Sequence, residues 1–157
     1  MRKIAAITLL LGFTVFGLTF AQGADDPVKQ RHELMKEVVG KNMKLIVAML
    51  KEESEQDAIP YDAAKAQAAL KAISEVPDKF VKLFPANTSM MDVKTDAKPE
   101  IWDNKADFEK QAQGLKTKSA EAASVAPAGK EQLKPVVFGK VAQQCKICHE
   151  KYKQPDK

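Results

Sequence analysis

The sequence predicts an all-α fold, an antiparallel up-down four-helix bundle. Past residue 21, four segments carry apolar residues at helical spacing, and no convincing strand pattern appears. The connections between those segments are short, which favours antiparallel neighbours.

The first helix is expected to open at Asp25-Asp26-Pro27, an acidic cap followed by proline at the first helical position. Its apolar residues are Leu34, Met35, Val38, Val39, Leu45, Ile46, Met49 and Leu50. It should fade in the polar stretch 52–57, before Pro60. The second runs from about Asp62 to Phe84 and should be kinked or split at Pro77. Residues 85–98 hold Asn, Thr, Ser, Asp and Pro and read as a loop. The third starts near Pro99, with Ile101, Lys105, Phe108, Ala112, Leu115, Ser119 and Ala122 forming a bundle-facing seam with two polar members. The segment 125–129, with its proline and glycine, breaks the chain. The fourth runs from about Glu131, or from Pro135 as a first helical residue, to Tyr152.

A chain of 157 residues suits one domain. Hydrophobic residues at 45% and charged residues at 29% give a globular balance. The formal charge of +4 is too small to argue for nucleic acid, and no basic tract with interleaved aromatics appears. Two of the positive charges, Arg2 and Lys3, head an uncharged apolar run from Ile4 to Phe20, followed by Ala21, Gly23 and Ala24. That is the pattern of a secretory signal peptide over residues 1–21, leaving 22–157 as the bundle domain. The rival is an uncleaved membrane anchor, but the run is short for a span and is diluted by Gly12, Gly17 and threonines. A bacterial periplasmic location is expected, with no stable membrane insertion after cleavage.

Cys145-Lys-Ile-Cys148-His149 is the C-x-x-C-H haem attachment signature. On a helix, positions i, i+3 and i+4 share one face. Two thiols can then join the two vinyl groups along one edge of the macrocycle, and His149 offers an imidazole nitrogen as the proximal iron ligand. The chain has two cysteines, so one covalent haem c is expected. Rival uses of the pair are weaker. A disulfide oxidoreductase places C-x-x-C at a helix start after a strand. A zinc site needs a fourth ligand, and His32 is the only other histidine. A disulfide between two helical residues so spaced would be strained.

A haem motif at the C-terminal end of a four-helix chain resembles the class II cytochromes c, the cytochrome c′ superfamily. The resemblance covers essentially the whole mature chain. It rests on Arg31-x-x-Leu34-Met35-Lys36, on Lys98-Pro-x-Ile101-Trp102, and on the C-x-x-C-H motif with Lys153 four residues beyond His149. In that superfamily the residue four after the first-helix arginine faces the open side of the iron. High-spin members carry a non-coordinating apolar residue there and bind small gases, whereas low-spin members carry methionine. Here the position is Met35, and the stretch from Leu34 to Met43 looks like the low-spin, cytochrome c-556-like kind. The resemblance also implies that Arg31 reaches a haem propionate and that Lys153 lies beside the proximal imidazole.

Met35 has an independent argument. It shares the apolar face with Leu34, Val38 and Val39, and a thioether is a soft donor suited to haem iron. Core filling is its alternative use, and Met43 and Met49 are assigned to packing. His32 lies among charged residues and is expected at the surface. Phe138, Val141 and Tyr152 fall near the cysteine face and are candidates to pack on the ring. Trp102 is expected as a packing anchor.

The expected function is electron transfer through a His149/Met35-ligated haem, not enzymatic turnover, with redox proteins as partners and a monomer or homodimer as the assembly. The alternative is a high-spin haem protein binding nitric oxide or carbon monoxide, and Met35 is the feature against it.

Overall fold

The computed structural model describes residues 26–155. The expected signal peptide and Asp25 lie outside the described residues. Helix α1 spans 27–50, α2 spans Ala63–Ser74, α3 spans Lys105–Val125 and α4 spans 130–152. They form a four-helix bundle, and among the described residues there is no strand, only an isolated bridge between Ala97 and Lys153.

Helix starts follow the capping chemistry. The Asp26 side chain accepts from Val28 N at 2.9 Å, with Pro27 in the first turn. Asp62 accepts from Lys65 N at 2.9 Å at the head of α2. Each carboxylate satisfies one of the amides that a helix start leaves without a partner. Pro77 splits the second segment, which continues as two short turns, Pro77–Phe80 and Val81–Leu83. The turn Glu100–Asp103 is separated from α3 by Asn104, whose φ of −128° and ψ of 49° are not helical. That break resets the helical phase, so Lys105, expected in the seam, is exposed, while Ile101 and Phe108 are buried. Gly129, at φ +114°, turns the chain from α3 into α4, a conformation that favours glycine. Helix α4 starts at Lys130, so Pro135 lies inside it and is not its first residue.

Two stretches wind wider than an α-helix, with π-type bonding: Glu33–Gly40 within α1 and Val137–Ala142 within α4. Such stretches are rare and recur at functional sites. The second begins two residues after Pro135, which lacks the N–H that a regular turn would use.

The interior is divided. The main core joins Val39, Ile46, Leu50, Leu70, Ile73, Leu133, Val137 and Val141. Ala66, Ala69, Ala122 and Ala123 let α2 and α3 approach closely within it. A second, aromatic core holds Phe84, Ile101, Phe108 and Tyr152, with Phe80, Trp102 and Cys148 packed on it. Phe84 touches Phe80, Trp102 and Phe108 edge-on, with ring centres 5.0, 5.8 and 4.8 Å away, a favoured aromatic geometry.

Candidate functional site

Between the two cores lies a cleft of about 610 Å³. Helix α1 contributes Arg31, Met35, Val39 and Met43 to its wall. Helix α4 contributes Cys145, Cys148, His149, Tyr152 and Lys153. Phe80, Phe84, Ile101, Phe108 and Leu115 supply much of the apolar lining. Thr95, Asp96 and Ala97, in the loop before the turn Glu100–Asp103, close one side.

The motif residues all fall on one regular stretch, Gln143–Tyr152, and all three line the cleft. Both cysteines are free and half-buried. Burial raises the Cys145 thiol, and burial together with the charges of Cys145 and Asp107 pushes Cys148 up to about 11. A redox-active C-x-x-C pair needs a thiol lowered toward neutrality. This pair is shifted the opposite way. Among the described residues no group of three or more His, Cys, Asp or Glu side chains is placed to hold a metal ion.

Gln144 anchors the motif to α3. It is 4% exposed. Its Nε2 donates to Gln111 O at 3.0 Å and to Gln111 Oε1 at 2.8 Å, and its Oε1 accepts from Lys118 Nζ at 2.6 Å. Gly114 makes room for it, since a Cβ there would lie 3.0 Å from Gln144 Cδ. Below the motif, Asp107 accepts from Lys151 Nζ at 2.7 Å and Tyr152 Oη at 2.6 Å. Those donors hold its carboxyl down at about 2. The segment before the third helix is strapped to the same end of α4. Lys98 N donates to Tyr152 O at 3.0 Å and Gln154 N to Asp96 O at 2.8 Å. Gln111, Gln144, Asp107 and Asp96 carry no motif that would mark them in the sequence, whereas Lys98 opens the Lys98-Pro-x-Ile101-Trp102 pattern.

Met35 is half-buried and lines the cleft, and so does Met43; Met49 is in the main core. His32 is exposed at the rim. Tyr152 lines the cleft, whereas Phe138 is 45% exposed and Val141 belongs to the main core. Phe138 and Val141 both lie within the wide stretch Val137–Ala142, and neither lines the cleft. Trp102 packs on Phe84 and donates from Nε1 to Pro85 O at 3.0 Å. Lys153 lines the cleft, and its backbone N donates to His149 O at 3.0 Å.

Arg31 lines the cleft and is 5% exposed. Nε donates to Leu83 O at 2.7 Å, Nη1 to Thr88 O at 2.9 Å, and Nη2 to Thr88 Oγ1. The guanidinium carbon lies 4.0 Å from the Phe84 ring centre. Burial lowers its pKa to about 10, partly opposed by Asp26.

A four-helix bundle whose last helix turns C-x-x-C-H toward an apolar cleft of cofactor size has the architecture of a bundle-type c-type haem protein. The comparisons agree. The cytochrome C′ family profile matches residues 26–153. A cytochrome c′ of Rhodopseudomonas palustris is 35% identical, over 94% of this chain and 94% of that protein. Cytochrome c-556 of the same organism is 30% identical, over 94% of this chain and 96% of that protein. A solved cytochrome c′, described as having ligand-controlled dimer dissociation, superposes with a TM-score of 0.69 at 32% identity, covering 82% of this chain and 95% of that one. The chain belongs to the cytochrome c′ family and binds covalently attached haem c. It is a haem protein of the electron-transfer or gas-binding kind. The chain fits that group: two thiols and an imidazole border one apolar cleft.

Proposed function

We propose that the chain is a periplasmic electron carrier whose haem iron is held between His149 and Met35. The observation that carries this reading is Met35 on the wall of the cleft that His149, Cys145 and Cys148 also line. In an up-down bundle α1 and α4 run antiparallel, and residues 41–50 touch the start of α4. The early turns of α1 are therefore level with the late turns of α4. Met35 lies about two turns earlier on α1 than Met43, so it is level with a later part of α4.

Cys145 and Cys148 would each form one thioether bond. When bound, the haem supplies an iron that takes up and releases one electron. His149 and Met35 would stay in place in both redox states, which leaves little to reorganise and no open position for a substrate. The apolar lining keeps water from the cleft. Arg31 would offer a propionate those donors not given to the 83–88 segment.

Redox proteins are the proposed partners, and a monomer or homodimer the proposed assembly, given the ligand-controlled dimer of the solved relative. Among the described residues no helix is long and apolar enough to cross a membrane. A second reading, high-spin binding of nitric oxide or carbon monoxide, draws on the relatives named cytochrome c′.

The absorption spectrum tests the two. The wild type should be low-spin and six-coordinate. Met35→Ala should become mainly high-spin, bind carbon monoxide readily when reduced and fall in potential. Met43→Ala should weaken the fold and leave the spectrum low-spin. A wild-type spectrum already high-spin, or one unchanged by Met35→Ala, overturns the proposal.

A further inference from the structure

Four cleft residues of α1, Arg31, Met35, Val39 and Met43, recur at steps of four. A regular α-helix does not keep such a row on one line. It turns about 100° per residue, so each step of four overshoots by about 40° and three steps drift by about 120°. The wide stretch Glu33–Gly40 lies in the middle of the row. It fits more residues into a turn and takes back that drift, so all four side chains reach the cleft.

Two residues hold the wide stretch in shape. At Gly40, an added Cβ would sit 3.1 Å from Met35 O, tighter than side-chain carbons normally approach. Glycine therefore lets the backbone close on the carbonyl of Met35 itself. Two residues on, Asn42 Nδ2 donates to Val38 O at 2.7 Å, tying a carbonyl of the wide stretch to the regular helix that follows. Neither side chain is needed for the bundle cores, because Gly40 has none and Asn42 belongs to neither cluster.

We propose that Gly40 and Asn42 are positioning residues for the sixth iron ligand, acting through the wide turn that aims Met35 into the cleft. This rests on the His149/Met35 reading above. A methyl group at position 40 must push Met35 O away or tighten the turn. Either change rotates Met35 relative to Val39 and Met43. Loss of the Asn42 amide removes one of the bonds to Val38 O, which also accepts from Lys41 N, and loosens the same turn. In both cases the methionine gives way more readily to an incoming ligand.

The experiment uses the full haem-loaded protein and the variants Gly40→Ala and Asn42→Ala. Carbon monoxide association with the reduced protein should speed up on the order of tenfold in each, the change that follows loss of about one hydrogen bond's worth of restraint on the ligated state. The oxidised spectrum should gain a high-spin component. Backbone hydrogen exchange over residues 36–42 should quicken in Asn42→Ala. Thermal stability should move differently: alanine's better helix propensity offsets the strain of the added methyl at position 40, so Gly40→Ala should melt close to the wild type. Faster ligand capture in a protein of nearly unchanged stability separates positioning from damage to the fold. If the wild type is low-spin and both variants keep its spectrum and its carbon monoxide rate, the positioning role is overturned and methionine ligation stands. If the wild type is itself high-spin, both proposals fall together.

Discussion

Arg31 shows how one side chain can join distant parts of the chain. Its three side-chain bonds reach residues 52 to 57 positions away, and its guanidinium stacks on Phe84. A lysine keeps the charge but not the planar fork that serves two carbonyls and a hydroxyl at once. We therefore expect Arg31→Ala to cost about 2–4 kcal/mol of stability, given charged hydrogen bonds and a cation–π contact in a buried setting. Arg31→Lys should recover only part of it. Urea melts of the three proteins check this, and a lysine variant as stable as the wild type would sink the clamp. The position of Arg31, one turn before Met35, was legible in the sequence. Its protein partners were not, because they depend on how the chain folds back after Pro77.

Among elements, the helices with a chemical cap were readable and the departures from regular winding were not. Asp26 and Asp62 mark helix starts because a short carboxylate reaches the next amides. Asn104 interrupts the third segment without proline or glycine to announce it, and no capping pattern announces the wide turns of α1 and α4. The pairing of α3 with the end of α4 through Asp107 was equally silent in the sequence, yet it has a pH signature. The carboxyl is lowered from 3.8 to about 2 by Lys151 and Tyr152. A lowered acid contributes stability that is complete above its unfolded value and is lost as pH falls through its folded one. The latch should thus hold above pH 3.8 and fail between there and about 2. Asp107→Asn removes the charge at every pH. Its urea midpoint should lie below the wild type's at about pH 5 and converge on it as the pH approaches 2. A gap that stays constant over that range would remove the latch.

For the whole molecule, the division of the interior into two cores is the feature that ties fold to cofactor. An apolar cleft of about 610 Å³ between Val39 on one side and Phe84 and Phe108 on the other is of the size that cofactor sites have. A group bound there would touch both cores at once. The C-x-x-C-H motif made that group legible in the sequence, whereas the walls that receive it come from all along the chain. Replacing both Cys145 and Cys148 by serine should abolish the covalent link, shown by an intact mass without haem after denaturation. The same variant, stripped of haem, should retain much of its helix by far-ultraviolet circular dichroism, since no residue of α2 and only Val39 of the buried main core line the cleft. Its melting point should nevertheless drop on the order of 15 °C, as expected for a loss of about 5 kcal/mol in a chain of this size. The aromatic core, which borders the cleft through Phe84, Phe108 and Tyr152, should loosen first, seen as Trp102 fluorescence changing at a lower temperature than the helix signal. A haem-free variant that melts cooperatively at the wild-type temperature would show that the two cores close on each other without a filler.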